Sequence, residues 1–470
     1  MKSLVFTLTL LASLALRAAE TPAAVQTKPN IVFILADDSA FADFGCYGHP
    51  YARTPNVDSL AKDGTRFQQF YATGVTCCPA RTGLMTSRWP ASYPTYPAVG
   101  GFAGHVTITE LLKKQGYATG HVGKWHIGPE EKPGIYGIDV TDNEDAHLRR
   151  LSGERGRDAH IYDAAIKFVE EHKDAPFYLN VWSHISHHPI NPPQSYIDKF
   201  KDVVVDESKF LPPMDEKFAA CKKRGGDVNE HMRAYLAEIN SMDDDIGRLL
   251  RRLDELGLRE KTIVVFSSDQ GPGDIRDSVE EDSDNKKRRR KNPSAPVVDN
   301  SAERLSAMGY TGGLRGGKFA TYEGGVRVPF LVRWPGHVPS GRVDEKSVIS
   351  GADWLPTLCA LTGTQIDAKE FDGEDTSDAW LGGEHVRKKP LMWKTSAVGS
   401  EAGIRDGQWK LLVPTKKRGE KELYDIPADP GEQHNLAAAN LEVVKALLAK
   451  VEAWVATLPK EYVKGKDKDN

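Results

Sequence analysis

A chain of 470 residues exceeds the length at which one hydrophobic core keeps growing, so two domains, or one large and one small, are expected. With 62 basic against 66 acidic residues the formal charge is −4, which excludes a protein whose whole surface serves nucleic acid. Five cysteines are too few, and odd in number, for a disulfide scaffold.

Met1-Lys2-Ser3 precedes an apolar stretch from Leu4 to Leu16 and small residues at Ala18-Ala19. This is the layout of a secretory signal peptide, too short for a membrane span, so a secreted or periplasmic protein without a membrane anchor is expected. Residues 1–19 are read as the signal and 20–28 as a linker. Asn30 to Ala36 is a continuous apolar run, as in a strand buried on both faces of a parallel sheet, and it ends in Asp37-Asp38. In Thr76-Cys77-Cys78-Pro79-Ala80-Arg81 the proline has its φ set for a first helical turn, so the helix should open at Cys78 or Pro79. Cys77 then lies where free N–H groups favour an anion, with Arg81 about one turn inside.

Thr107 to Gln115 has a helical pattern. In Gly123-Lys124-Trp125-His126-Ile127-Gly128, strand alternation would aim Lys124 and His126 to one side. Phe177 to Trp182 reads as a strand leading into His184, His187 and His188. Glu230 to Leu256 carries apolar residues at helical spacing, and Thr262 to Ser268 is another buried strand, ending in Asp269-Gln270-Gly271. Strands alternating with helices predict an α/β fold, a large, mainly parallel sheet sandwiched by helices. Ligands bind beyond the carboxyl ends of such strands. Past Gln365 the character changes: Trp409 to Leu412 and Glu422 to Asp425 read as short antiparallel strands, and Leu441 to Leu458 as a closing amphipathic helix. Residues 29–365 are therefore read as the large domain and 366–470 as a small α+β subdomain. Cys46 and Cys359 are expected to be buried thiols and Cys221, beside Lys222-Lys223-Arg224, exposed.

Asp37, Asp38, Asp269 and Gln270 offer oxygen donors at two strand ends, which suits Ca²⁺ or Mg²⁺ rather than zinc.

The run Cys77-Cys78-Pro79-Ala80-Arg81, continuing to Leu84-Met85-Thr86-Ser87-Arg88, resembles the signature of the type I sulfatases, with Ser87 where that family usually has Gly. Gly123-Lys124-Trp125-His126 resembles a second element of that family, Ser186-His187-His188-Pro189 a third with Ser186 in place of Pro, and Leu314 to Pro329 a fourth that selects Lys318. The resemblance runs in order from Pro29 to Leu436 and implies an alkaline-phosphatase-like fold. It implies that Cys77, which has Pro two residues on and Arg four on, is oxidised to formylglycine by a maturation enzyme. It implies a metal held by Asp37, Asp38, Asp269, Gln270 and the modified Cys77, with Gln270 departing from the usual Asn or His. Arg81, Lys124 and Lys318 would face the sulfate. His126 would be the base that frees sulfate, and His187 with Lys318 would protonate the leaving oxygen, with His184 or His188 as substitutes for His187.

The reading is a hydrolase of sulfate monoesters, on a sulfated saccharide or an aryl sulfate. The alternatives are a phosphatase or phosphonate monoester hydrolase of the same superfamily, which a Ser or Thr at position 77 would have favoured, and a catalytically silent binder of sulfated glycans. Oligomeric state and exact substrate are left open, specificity being assigned to loops such as Ile135 to Arg157 and Asp202 to Gly226. The insert from Asp274 to Gly312 holds the basic run Lys286 to Lys291, read as a solvated loop or as a device that steers a polyanion toward the site.

Overall fold

The computed structural model describes residues 28–98, 100–128, 132–142, 154–275, 305–395, 401–414 and 419–463. The expected signal peptide, most of the linker and the basic run fall outside these residues.

A nine-stranded sheet forms the centre of the molecule. Its strands are β1 (Asn30–Ala36), β2 (Thr65–Tyr71), β3 (Ala118–Gly123), β4 (Val140–Asp142), β5 (Phe177–Trp182), β6 (Thr262–Ser268), β7 (Arg327–Arg333), β8 (Arg342–Asp344) and β9 (Ile349–Ser350). The order is β4-β3-β5-β1-β6-β7-β2-β8, with β9 also on β2. β7 is antiparallel to both neighbours and the remaining pairings are parallel, so the mainly parallel sheet expected from the buried runs is present.

Alternation along β1 explains its composition. Val32 and Ile34 pack into the core under α4 (Ala159–His172) and α7 (Val228–Glu255), whereas Ile31, Phe33 and Leu35 pack into the opposite core with Trp354 and Leu358. Each such side chain, fully removed from water, contributes roughly 1.5–3 kcal/mol. The long helix starts at Val228, two residues earlier than its apolar spacing indicated, because the Asp227 side chain caps it by accepting from the Asn229 and Glu230 amides at 2.7 and 3.3 Å.

A second, four-stranded antiparallel sheet is built from Leu391–Lys394, Glu401–Asp406, Trp409–Pro414 and Glu422–Asp425 (β10 to β13). The helix Leu441–Thr457 closes over it through Leu447 and Val451. No helix among the described residues is long and apolar enough to cross a membrane. Cys221 is buried rather than exposed as expected, because it lies on the inward face of the helix Met214–Lys223 with Met214, Lys217 and Phe218, while of that helix's lysines only Lys222 and Lys223 are exposed. Cys359 is buried as expected, but Cys46 is only partly so.

His49 is a buried histidine away from any candidate site. Its Nδ1 accepts from the Tyr51 and Ala52 amides at 3.1 and 3.0 Å, and burial holds the imidazole down at about 3. The unfolded chain takes up a proton near 6.5 that folded His49 refuses, so stability is full above 6.5 and falls as the pH drops toward 3. The expected slope from this one group is about 1.4 kcal/mol per pH unit. Denaturant titrations of a His49→Gln variant should show a correspondingly shallower loss of stability on acidification; an unchanged slope would contradict this.

Candidate active site

Neighbouring strands deliver the acidic pairs side by side. β1 and β6 are paired in register up to Ala36 and Ser268, so Asp37-Asp38 and Asp269-Gln270 leave the sheet at the same edge. The Asp269 amide still donates to Ala36 O at 3.2 Å, and Asp38 turns into the left-handed region at φ 62°, which Asp tolerates better than most residues. β5 lies on the other side of β1 and brings the histidine segment: the Asp37 amide donates to Ile185 O at 2.9 Å and the Ser186 amide to Asp37 O at 2.7 Å.

The helix α2, Cys77–Thr86, opens one residue earlier than expected, which makes Cys77 its first residue. The Cys77 thiol lies 3.2 Å from Asp37 Oδ1 and 3.8 Å from Asp38 Oδ1. Lys124 Nζ and Gln270 Nε2 each approach the sulfur at 3.4 Å, and Lys318 Nζ at 3.5 Å. Each cation also pairs with a carboxylate. Lys124 Nζ is 2.5 Å from Asp37 Oδ2, Lys318 Nζ is 2.8 Å from both Asp38 oxygens, and Arg81 grips Asp269 Oδ2 through Nε at 2.9 Å and a terminal nitrogen at 2.8 Å. The other terminal nitrogen of Arg81 donates to Lys124 O at 2.8 Å, so the guanidinium ties three loops together.

Three carboxylates thus meet three cations in a buried space. Burial opposes ionisation of Asp37, but Lys124, His187, Arg81 and Lys318 together hold its carboxyl well below the usual range. Burial wins at Asp269, whose pKa rises to about 6 against the pull of Arg81. Burial, reinforced by Asp37, also pushes the Cys77 thiol up, so as an unmodified cysteine it stays protonated and is a poor nucleophile.

Nucleophilic chemistry at this position therefore calls for a change to the side chain or a further charge in the site. One donor atom of each of Asp37, Asp38, Cys77 and Asp269 lies within 4.8 Å of the others. Gln270 Nε2 donates to Asp38 Oδ1, while its Oε1 is buried without a partner. Half a turn of that amide would bring the orphaned oxygen toward the carboxylates, so the residues fit a divalent, oxygen-preferring cation. Two added positive charges on a balanced set would leave the net surplus that a sulfate ester anion needs.

The family model described as Sulfatase matches residues 29–364. The chain belongs to the sulfatase family. A second model, N-sulphoglucosamine sulphohydrolase C-terminal, matches residues 317–457. Human arylsulfatase A is 30% identical over 94% of this chain and 92% of its own length. The N-acetylgalactosamine-6-O-sulfatase of Bacteroides thetaiotaomicron is 26% identical over 91% and 93%. Among solved structures, Ps i-CgsB bound to k-i-k-neocarrahexaose shares the fold at a TM-score of 0.73, with 24% identity over 93% of this chain and 95% of that one. The phosphonate monoester hydrolase of Agrobacterium radiobacter shares it at 0.64, with 21% identity over 92% and 95%.

In this sulfatase the predicted residues Asp37, Asp38, Cys77, Arg81, Lys124, Asp269, Gln270 and Lys318 come together around one sulfur atom. His187 joins them at the rim, its Nε2 3.8 Å from Asp38 Oδ2 and its Nδ1 2.7 Å from His188 O. His126 does not reach the group by strand alternation. β3 ends at Gly123 (φ 92°), where a side chain would strike Trp182 O at 2.1 Å, and His126 sits in the following loop at φ 54°. Its Nδ1 is buried without a partner, and burial, with Lys124 and Arg81 nearby, keeps the ring neutral to about 3. Ser87 occupies a left-handed position, φ 56°, which accounts for the glycine expected there. Its hydroxyl offsets the strain by donating to Ala352 O at 2.5 Å and accepting from the Gly373 amide at 3.2 Å.

Residues not singled out in the sequence hold the histidine segment of the sulfatase. Arg157 donates to the carbonyls of His184 and Pro189 at 2.8 Å and lies 3.6 Å from Glu238 on α7. Asp158 accepts from the His184 and Ile185 amides at 2.8 and 3.0 Å. The available signal was charge on the apolar face of α7, where Glu238, Asp243 and Asp245 are buried.

Proposed function

We propose that this sulfatase cleaves sulfate monoesters on a sulfated carbohydrate, with Cys77 matured to formylglycine and Ca²⁺, or Mg²⁺, held by Asp37, Asp38, Asp269, Gln270 and residue 77. The carrying observation is the placement of Cys77 at a helix start, 3.4 to 3.5 Å from the nitrogens of Lys124, Gln270 and Lys318 and in contact with Asp37. When present, a hydrated formylglycine next to the cation supplies the strong oxygen nucleophile that the thiol cannot. Lys124, Lys318 and Arg81 orient the sulfate oxygens by charge-assisted hydrogen bonds. His126, neutral and with a free Nδ1, suits the base that takes a proton during sulfate release. His187 directs Nδ1 to His188 O, which leaves Nε2 facing the leaving oxygen. Burial and the nearby Lys318 hold its imidazole well below the usual range, so it can donate there only after taking up a proton, and Lys318 stands beside it as the second donor.

A carbohydrate substrate is supported by relatives named for N-acetylgalactosamine-6-sulfate and ulvan, and by a solved neighbour in complex with D-glucosamine-2-N,6-O-disulfate, which shares the fold at a TM-score of 0.69. Export rests on the apolar run Leu4 to Leu16, and the division near residue 365 on the separate C-terminal sheet. A matched panel of sulfated saccharides, 4-nitrophenyl sulfate and phenylphosphonate esters tests the reading: a sulfate ester is the best substrate if it holds, and a phosphonate preference contradicts it.

Chelation should abolish turnover and Ca²⁺ restore it, because every protein donor, the matured residue 77 included, is an oxygen. Calorimetry on Gln270→Ala should show Ca²⁺ affinity weakened by about 10- to 100-fold. Zinc as the sole restoring metal, or unchanged affinity, would contradict the ligand set.

A further inference from the structure

The sequence elements Trp409-Lys410-Leu411 and Asp429-Pro430-Gly431-Glu432 belong to the C-terminal sheet region, far along the chain from Cys77, and the chemistry above leaves them unused. Lys410 is fully buried, and its Nζ lies 2.9 Å from Glu323 Oε1 and 2.9 Å from Glu432 Oε1, both also buried. Glu432 further accepts from the Glu323 amide at 2.6 Å, and Tyr71 donates to Glu323 Oε2 at 2.8 Å. Removing such charges from water is expensive, and replacing them by apolar residues would cost the fold little, so stability alone does not account for the triad.

Its position supplies a reason. Glu323 starts the segment Glu323-Gly324-Gly325, which is packed directly beneath the turn that carries Lys318. A side chain on Gly324 would strike Gly316 O at 2.4 Å and Arg315 O at 2.7 Å, and one on Gly325 would strike Ala320 O at 2.2 Å and Gly317 O at 2.5 Å. The turn is clamped from its other side as well, by the Lys318 amide on Pro272 O at 2.8 Å and the Phe319 amide on Val75 O at 2.9 Å. A displacement of Glu323 therefore has nowhere to go except into the backbone of residues 315–320. Arg315 is tied to the same sheet, donating to Tyr424 Oη at 2.9 Å and lying 3.2 Å from Glu422.

We infer that Lys410 and Glu432 of the C-terminal sheet are positioning residues for catalysis: through Glu323 they set the height of the turn that presents Lys318 to residue 77. The inference rests on the sulfatase reading. A misplacement near 1 Å is enough to cost on the order of 10² in rate.

The test is a double-mutant cycle on the matured full-length protein with 4-nitrophenyl sulfate, each variant first checked for cooperative thermal unfolding. Lys410→Met is expected to lower kcat at least tenfold with KM changed less than about twofold, since Lys124 and Arg81, the other sulfate-facing residues, stay in place. In a Lys318→Ala background the same substitution should lower kcat by less than about twofold, because the group it positions is gone. Equal proportional losses in both backgrounds, or an undiminished kcat in folded Lys410→Met, would overturn the inference. Should Lys410→Met not fold, Glu432→Gln, which keeps an oxygen for the Glu323 amide, carries the same cycle with the same two overturning results. Wild-type activity is the reference: its absence overturns the sulfatase reading and this inference with it, whereas an intact wild type with additive losses overturns this inference alone.

Discussion

Cys77→Ala is expected to abolish hydrolysis of a sulfate ester, by a factor of at least about 10⁴, while Cys78→Ala retains most activity. The two thiols are adjacent in sequence and both buried, yet they face different surroundings. Cys77 Sγ meets Asp37, Lys124, Gln270 and Lys318, whereas Cys78 Sγ lies 3.9 Å from the Thr82 hydroxyl and lines a small cleft with Pro79, Tyr93 and Tyr96. Alanine at 78 removes one sulfur from that cleft; alanine at 77 removes the group on which the polar side chains converge. Steady-state rates on purified, matured protein check this, and equal losses in the two variants would contradict the assignment.

The second large effect is expected at Arg81. Its guanidinium is wholly buried: Nε donates to Asp269 at 2.9 Å, one terminal nitrogen donates to Lys124 O at 2.8 Å, and the other lies 2.8 Å from Asp269 and 3.5 Å from Asp37 as an ion pair. Arg81→Ala leaves buried carboxylates uncompensated, which should cost about 3–5 kcal/mol of stability together with activity. Arg81→Lys separates the two roles. It restores a charge but cannot reproduce a planar fork with three simultaneous contacts, so most of the stability should return while kcat stays down by about 10²- to 10³-fold. Denaturant midpoints and kcat measured on the same preparations decide it. Full recovery of kcat in the lysine variant would mean that charge, not the fork, is what the site requires.

What the sequence made legible follows from which contacts are local. The strands β1, β5 and β6 were readable as unbroken apolar runs because both faces of each are covered, and the acids that end β1 and β6 then had one place to go, the carboxyl edge. The resemblance to the sulfatase signature, with Pro79 two and Arg81 four residues on, selects Cys77 over Cys78, and the fold places its sulfur, not that of Cys78, beside Asp37, Lys124, Gln270 and Lys318. Lys124 and His126 were misread as strand neighbours because the end of β3 is set by a tertiary close approach, Gly123 against Trp182, which no local pattern encodes. The same holds for the buried ion pairs. Arg157 meets Glu238, and Lys410 meets Glu323, across separations of 81 and 87 residues, so no local pattern in the sequence reveals either pairing. Cys221 shows the converse error, for it faces inward with Lys217 and Phe218 while its neighbours Lys222 and Lys223 on the same helix are exposed.

The central claim is that residue 77 is the matured nucleophile of a sulfatase, and the mass of the peptide that carries it tests this most directly. In protein co-expressed with the maturation enzyme, fragmentation should place a loss of sulfur and gain of an aldehyde oxygen at Cys77, with Cys78 still a thiol and the aldehyde trapped by a hydrazide. A peptide with both thiols intact in an active preparation, or an aldehyde at Cys78, would contradict it.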